Sequence, residues 1–514
     1  MRIDSLLDPH RYPHPVDRVE LLETHISWIA LAGEFAYKLK KPVTLPFLDY
    51  GSVAKRRACC AAELRLNRRY APALYLDVVD FDGEPAVKMR RFDETARLDN
   101  MSRRGELTPA HLSDLARTVV RFHAGAEVAP AGSRFGSPAV ILATATENFD
   151  ELDALLAAEA PRLARLRVWT GAEFARRRDT MARRKQEGRV RECHGDLHLG
   201  NLVLLGEATP TGRPEALRHA GGAGIPTSID TEFPVTIEHS EEVGASALGR
   251  GSGGGGQRVV PFDCIEFNDD LRWIDVANEI AFTYVDLLDH GRPGLAGWLL
   301  NEWLAWSGDF GALALLPFYA VYRAVVRAKV AALRHQAAEA AGYLAMAEDL
   351  TLRRSPTLTI TFGLSGSGKT TASTARLLAD PQATTIRLRS DVERKRLFGL
   401  AADADSGGAI YSAAATAQTY ARLAQLAGTI LGDGWSVIVD AAFLKRAERD
   451  AFRALAAAAQ VPCVILACAA PIDELRRRLD SRQGDASEAG TSVLDAQLGW
   501  LEPLAADEGA IVGS

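Results

Sequence analysis

Two stretches of this 514-residue chain carry side chains at spacings that chemistry demands. The first is Gly363-Leu364-Ser365-Gly366-Ser367-Gly368-Lys369-Thr370-Thr371, which satisfies G-x-x-x-x-G-K-[ST] in full. Its glycines let successive backbone N–H groups curl round phosphate oxygens, and a helix start behind them adds a positive end. In that pattern Lys369 reaches the β- and γ-phosphates and Thr370 offers a hydroxyl to Mg²⁺. The bland reading is a Gly-Ser loop that caps a helix and binds nothing. Both flanks weigh against it: Leu358–Phe362 reads as a buried strand, and a helical pattern follows.

The second stretch is His194-Gly195-Asp196-Leu197-His198-Leu199-Gly200-Asn201, with the H-x-D-x-x-x-x-N spacing of a kinase catalytic loop. There Asp196 accepts the proton of a substrate hydroxyl and Asn201 binds Mg²⁺. Three more residues stand in the expected order. Lys38 lies on a hairpin strand, Glu63 on the helix after it, and Asp263 ends the run Val259–Phe262. Such a lysine holds the α- and β-phosphates and is positioned by the glutamate; the aspartate binds metal. Singly, they read as a surface lysine, a solvated glutamate and a turn residue; their order favours the chemical reading. His194 and His198 also stand at metal-pair spacing, but no third ligand accompanies them.

Downstream of the phosphate loop, Ser436–Asp440 is an apolar strand that ends in a carboxylate placed to meet Mg²⁺. Asp391 follows another strand and either accepts a hydroxyl proton or, with Ser390, caps the next helix, 392–398. Arg478 and Arg482 sit on a basic helix and the loop after it, able to close over a phosphate or simply to face water.

The elements needed to position these groups can be read from periodicity. Residues 24–48 form a hairpin, with Ala32-Gly33-Glu34 as a turn able to approach phosphate, and 54–70 form a helix. A β-like pair follows at 75–79 and 86–89, and 108–190 and 271–350 are helical. The stripe Leu112, Leu115, Val119 and Phe122 marks one apolar face. Residues 206–258 turn rich in Gly, Pro, Ser, Thr and Glu and read as a flexible insertion. After a linker at 351–357, strands are expected at 358–362, 383–388, 435–440 and 461–467, alternating with helices as in a parallel α/β sheet. The expected domains are 1–350 and 358–514, in an α/β multidomain chain.

Those motifs, with Tyr37–Pro42, Phe47–Asp49, Glu63–Arg69, Cys193–Asn201, Phe262–Asn268 and Val439–Leu444, resemble a family of fused bacterial proteins. Its members join an aminoglycoside-phosphotransferase-like kinase domain to a P-loop ATP-binding domain similar to gluconate kinases and zeta toxins. Ser481-Arg482 and Asp485–Ser487 look like that family's second half. The resemblance implies a two-lobed protein-kinase-like fold in the first half and ATP binding in both. It implies Asp196 as base, Asn201 and Asp263 as metal ligands, Lys38 as the phosphate lysine, and Asp275 as a support of the catalytic loop.

Composition narrows the alternatives. Hydrophobic residues make up 47% and charged residues 25%, values of a folded soluble chain, and the net charge of -6 argues against a dedicated nucleic-acid binder. No apolar run is long enough to span a bilayer, and the Met1–Ser5 start lacks a secretion pattern, so a cytosolic protein is expected. The basic stretch 162–191 reads as a solvated helix face, and the six scattered cysteines as small buried apolar groups. The expected function is ATP-dependent, Mg²⁺-assisted phosphate transfer at two sites to a hydroxyl of a small polar metabolite. A regulatory ATPase with a degenerate kinase-like half is the alternative; toxin-like phosphorylation of a large target is a third. Neither a nucleic-acid nor a membrane partner is expected, and no pattern specifies an oligomer.

Overall fold

Period-two patterning produces the first sheet. In the computed structural model, which describes residues 3–45, 48–206, 256–352, 354–404, 406, 410, 412–481 and 490–512, β1 (Val19–Glu23), β2 (Ser27–Ala32) and β3 (Phe35–Lys40) form an antiparallel ribbon. Gly33, at φ +58°, makes the β2–β3 turn. That turn packs under the N-terminal segment, because a Cβ on Gly33 would stand 3.1 Å from the Pro15 carbonyl oxygen. The turn expected to approach phosphate is thus covered on that side by the segment around Pro15. After the short pair β4 (Thr44–Leu45) and β5 (Leu48–Asp49) comes helix α1 (Val53–Arg68), capped by Ser52. Then β6 (Tyr75–Phe81) and β7 (Glu84–Arg90) complete a sheet of order β1-β2-β3-β7-β6.

Helices α2 (Leu98–Arg103), α3 (Pro109–Gly125), α4 (Pro138–Leu155) and α5 (Ala160–Gln186) follow, then strand β8 (Val190–Glu192). Leu112, Leu115 and Val119 of α3 are buried, as their stripe predicts. Next, β9 (Leu202–Gly206) pairs antiparallel with β10 (Gln257–Pro261). The segment read as a flexible insertion thus starts and ends in a ladder, with Gly206 opposite Gln257; residues 207–255 lie outside the described residues. After α6 (Asp269–Arg272), strand β11 (Trp273–Asp275) pairs with β8, so the stretch predicted helical from 271 is interrupted. Helices α7 (Val276–Asp289), α8 (Pro293–Ser307), α9 (Leu316–Leu333) and α10 (Ala337–Thr351) complete the N-terminal part.

The C-terminal part alternates strand and helix: β12 (Leu358–Phe362), α11 (Lys369–Leu378), β13 (Thr385–Arg389), α12 (Ser390–Leu397), α13 (Ala413–Gly432), β14 (Ser436–Asp440), α14 (Arg446–Ala458), β15 (Cys463–Ala467), α15 (Ile472–Asp480), α16 (Thr491–Trp500) and β16 (Ala510–Val512). All five strands run parallel in the order β13-β14-β12-β15-β16. Leu358, Ile360, Val437 and Val439 are fully buried, as expected for strands covered on both faces.

The two parts share one apolar cluster, running from Leu299 and Trp303 of α8 to Ile386 and Val437 of the parallel sheet. Close approach is possible because of Gly294: a Cβ there would lie 2.2 Å from the carbonyl oxygen of Leu378 at the end of α11. The Asn301 side chain of α8 then acts as a substitute strand. It donates to Thr385 O at 2.8 Å and accepts Arg387 N–H at 2.6 Å, pairing the outer edge of β13.

Candidate active site

The glycines of the phosphate loop are fixed by geometry. Gly363 sits at φ +149°, where a Cβ would be 2.2 Å from Cys468 O, and Gly366 and Gly368 sit at φ +82° and +93°. Gly368 is the residue before α11, so the helix start faces the loop's hollow. Lys369 folds back along the loop and donates to Gly363 O at 2.9 Å and Leu364 O at 2.7 Å. Ser365 N–H is held by the Gln497 side chain of α16 at 2.8 Å.

The loop opens on a cavity of about 800 Å³ that gathers most of the residues expected to serve the C-terminal site: Ser365, Gly366, Gly368, Lys369, Thr370 and Thr371 from the loop, with Asp391, Asp440 and Arg478. Arg478 donates to Gly366 O at 3.2 Å and to Glu474 at 2.6 Å, which places its guanidinium at the loop. Arg482 lies outside the described residues, as do Asp485–Ser487. The capping alternative for Ser390 and Asp391 is corrected. Helix α12 already begins at Ser390, with Arg389 before it and no side-chain cap, so Asp391 lies within the first turn at the carboxyl edge of β13.

Asp440 ends β14 and is buried; its Oδ2 accepts the Ser373 hydroxyl at 3.1 Å. The far wall carries Thr416, Tyr420, Lys445, Glu448 and Trp500, none of which belongs to a motif. Burial pushes the Glu448 carboxyl up against the lowering effect of nearby Lys445.

The N-terminal constellation also converges. Lys38 and Lys40 alternate with apolar neighbours on β3 and so share a face. Lys38 donates to Glu63 Oε1 at 2.9 Å and to the Asp263 carboxylate, while Lys40 donates to Glu63 Oε2 at 2.6 Å and to Glu266. Burial alone would push the Glu63 carboxyl up, but the two ammonium groups outweigh it and hold Glu63 below the ordinary carboxylate range. Asn201 donates to Asp196 Oδ2 at 2.9 Å, and its carbonyl accepts Phe262 N–H at 3.0 Å, next to Asp263. Burial also disfavours charge on Asp196, yet His198, 3.4 Å away, is the main group that keeps it well below the usual range. His194 instead turns its Nε2 to Phe262 O, so the two histidines do not form a metal pair.

Sequence reasoning missed the residues that hold these groups in place. Asp263 has φ +66°, a left-handed conformation that aspartate tolerates better than most residues. Its N–H donates to Tyr75 OH at 3.0 Å, and the next residue, Cys264, donates to Asn67 Oδ1 at 2.9 Å. The loop His194–Asn201 rests on one face of α7. Glu279 accepts His194 N–H and Gly195 N–H, Thr283 donates to Leu197 O, and Asp286 accepts Leu199 N–H at 2.8 Å. Spacing of four and three in an apolar helix was the available signal. Asp275, expected to support this loop, does something else: it pairs through both oxygens with Arg184, which also binds Asp309. That buried Arg184 corrects the reading of 162–191 as a wholly solvated face. Cys60, Cys193, Cys264 and Cys468 are buried, and Cys59 and Cys463 are half-buried.

The phosphate loop has the form of a phosphate cradle, and both constellations carry oxygen donors that could hold Mg²⁺. In the phosphate loop, Ser367 Oγ is buried and meets no hydrogen-bond partner among the described residues, and Gly363 stands where a side chain would fill the cradle. Thr370 and Asp440 at one site, and Asn201 and Asp263 at the other, supply oxygen donors of the kind hard divalent cations take.

Residues 358–504 match the family model of the AAA domain. Over 508 residues the chain is 28% identical to an uncharacterized protein of Mycobacterium tuberculosis (strain ATCC 25618 / H37Rv), covering 94% of this chain and 91% of that protein. Among solved structures, a sugar kinase of Janibacter sp. HTCC2649 is similar at 26% identity and TM-score 0.24, over 31% of this chain and 84% of that one. The GDP complex of aminoglycoside 2'-phosphotransferase-IIIa is similar at 13% identity and TM-score 0.38, over 68% of this chain and 97% of that one. No helix among the described residues is long and apolar enough to cross a membrane.

Proposed function

We propose that the chain is an ATP-dependent phosphotransferase with two nucleotide sites, each transferring a γ-phosphate to a hydroxyl of a small polar metabolite. The observation that carries this reading is the shared cavity of Lys369, Thr370, Asp440 and Asp391, which sets phosphate-binding, metal-binding and proton-accepting groups around one space. At the C-terminal site, Lys369 and the loop amides bind the phosphates, and Thr370 and Asp440 would hold Mg²⁺. When bound there, Mg²⁺ would offset charge on the phosphate oxygens. The acceptor oxygen bonds to the γ-phosphorus as the bond to the β–γ bridging oxygen breaks, and the acceptor proton passes to Asp391. Arg478 stabilises charge on the transferring group. At the N-terminal site Lys38, set by Glu63, orients the phosphates, Asn201 and Asp263 hold metal, and Asp196 takes the proton. Asp196 is ionised at neutral pH, as an acceptor of that proton must be.

The test is a screen of the full chain with Mg-ATP and a pool of hydroxylated metabolites, reading phosphorylated products by mass spectrometry. Lys369→Ala and Asp196→Asn are each expected to remove a different product. ATP turnover with no acceptor-dependent product overturns the reading.

A further inference from the structure

Asp440 depends on more than its own loop. Its Oδ2 accepts from Ser373, a wholly buried residue one turn beyond Lys369 on α11. The single Ser373 hydroxyl proton has two acceptors in reach, Asp440 Oδ2 at 3.1 Å and Thr370 O at 3.0 Å. What faces the Ser373 lone pairs is the Arg387 guanidinium, which donates to Oγ at 3.4 Å and to Thr374 Oγ1 at 2.5 Å. Arg387 lies on the face of the sheet that carries Asp440, since β13 and β14 pair Arg387 with Ile438 and Arg389 with Asp440.

Arg387 is in turn gripped from outside the P-loop domain. Its N–H is bound by Asn301 of α8, and its guanidinium lies 5.5 Å from the centre of the Trp298 ring, also on α8. Trp298 is itself fixed, donating Nε1–H to Ser113 Oγ at 2.9 Å. A chain of direct contacts thus runs from α3 through Trp298, Arg387 and Ser373 to Asp440.

We propose that Arg387 and Trp298 are positioning residues for the metal carboxylate Asp440, so that helix α8 sets how tightly the C-terminal site holds a divalent cation with its nucleotide. This inference rests on the reading of that cavity as a Mg²⁺-nucleotide site. Groups that orient a metal ligand change metal affinity while leaving the metal-independent contacts intact. Phosphate contacts here come from Lys369 and the loop amides, whereas Arg387 donates to Ser373 and Thr374 further along α11. Metal binding and metal-free nucleotide binding should therefore separate.

The experiment uses the full chain and reads two affinities: ATP in EDTA by calorimetry, and Mn²⁺ in the presence of saturating ATP by electron paramagnetic resonance. In each, the Lys369-dependent part is taken by subtracting Lys369→Ala. Arg387→Met is expected to weaken Mn²⁺ about tenfold and metal-free ATP by no more than about twofold. Trp298→Ala should move Mn²⁺ affinity in the same direction, and Trp298→Phe, which keeps a ring over the guanidinium, should restore it. The Trp298 pair decides the matter if Arg387→Met does not fold. Unchanged Mn²⁺ affinity in folded Trp298→Ala, or equal losses with and without metal, would overturn the inference. Absence of any Lys369-dependent ATP binding in the unsubstituted chain would instead overturn the underlying reading.

Discussion

Glu279 Oε1 accepts the N–H of Gly195 at 3.1 Å, joining helix α7 to the loop His194–Asn201 across 84 residues of sequence. The same carboxylate accepts His194 N–H and pairs through its other oxygen with His123. Burial opposes its charge, but the hydrogen bond and charge of His123 prevail and hold Glu279 at about 2, against an ordinary 4.5. A carboxyl depressed by folding adds stability above its unfolded pKa and loses it as pH falls through the folded one. Stability should therefore decline between about pH 4.5 and 2, by roughly 3 kcal/mol from this group. Glu279→Gln should flatten that part of the profile in denaturant titrations; an unchanged acid limb would refute the assignment.

Glu63 receives both buried lysines of β3. Glu63→Ala leaves the two ammonium groups with Asp263, Glu266 and the Tyr50 hydroxyl as partners. A loss of about 3–5 kcal/mol in chemical denaturation is expected, because removing one member of a buried ionic cluster strands the others. Lys38→Met, which removes a charge at the more exposed, Asp263 side, should cost less while weakening nucleotide binding at the N-terminal site.

Gly363→Ala places a Cβ 2.2 Å from Cys468 O on a backbone that L side chains avoid. Lys369-dependent ATP binding should be lost. Gly432→Ala near the end of α13, where no atom lies within 4 Å, should instead leave binding intact and raise stability by about 0.4–1 kcal/mol. Equal binding by the two variants would sink the proposed cradle.

Glu448 and Tyr420 line the wall of the cavity but belong to neither the loop nor the metal group. With the acceptor in hand, Glu448→Ala should raise its KM about tenfold or more and leave ATP affinity unaltered, since a lost hydrogen bond to a charged group costs about 1.5–3 kcal/mol. A fall in ATP affinity instead would move Glu448 to the nucleotide's side.

The chemistry-bearing residues were legible because phosphate binding fixes residue type and spacing within a few positions. The loop at 363–371, the spacing from His194 to Asn201, and the strands at 385–389 and 436–440 all carry local signatures. What holds them was not legible. Tyr75 and Asn67 hold Asp263 and Cys264 from nearly two hundred residues away, and Glu279 does the work expected of Asp275, four residues earlier in the chain. A polar residue inside an apolar helix announces a partner without naming it. The contact of Asn301 with β13 is of that kind, since only packing of α8 on α11 brings them together.

That last contact bears on whether the P-loop domain can live alone. Strand β13 is the outermost of its sheet, and a bare strand edge is a template on which another copy can add. Asn301 closes it with a single amide, borrowed from a helix that precedes the domain by some fifty residues of chain. A fragment starting at Thr357 would keep every phosphate-binding residue and expose a sticky border, so its first fault would be self-association in the tube.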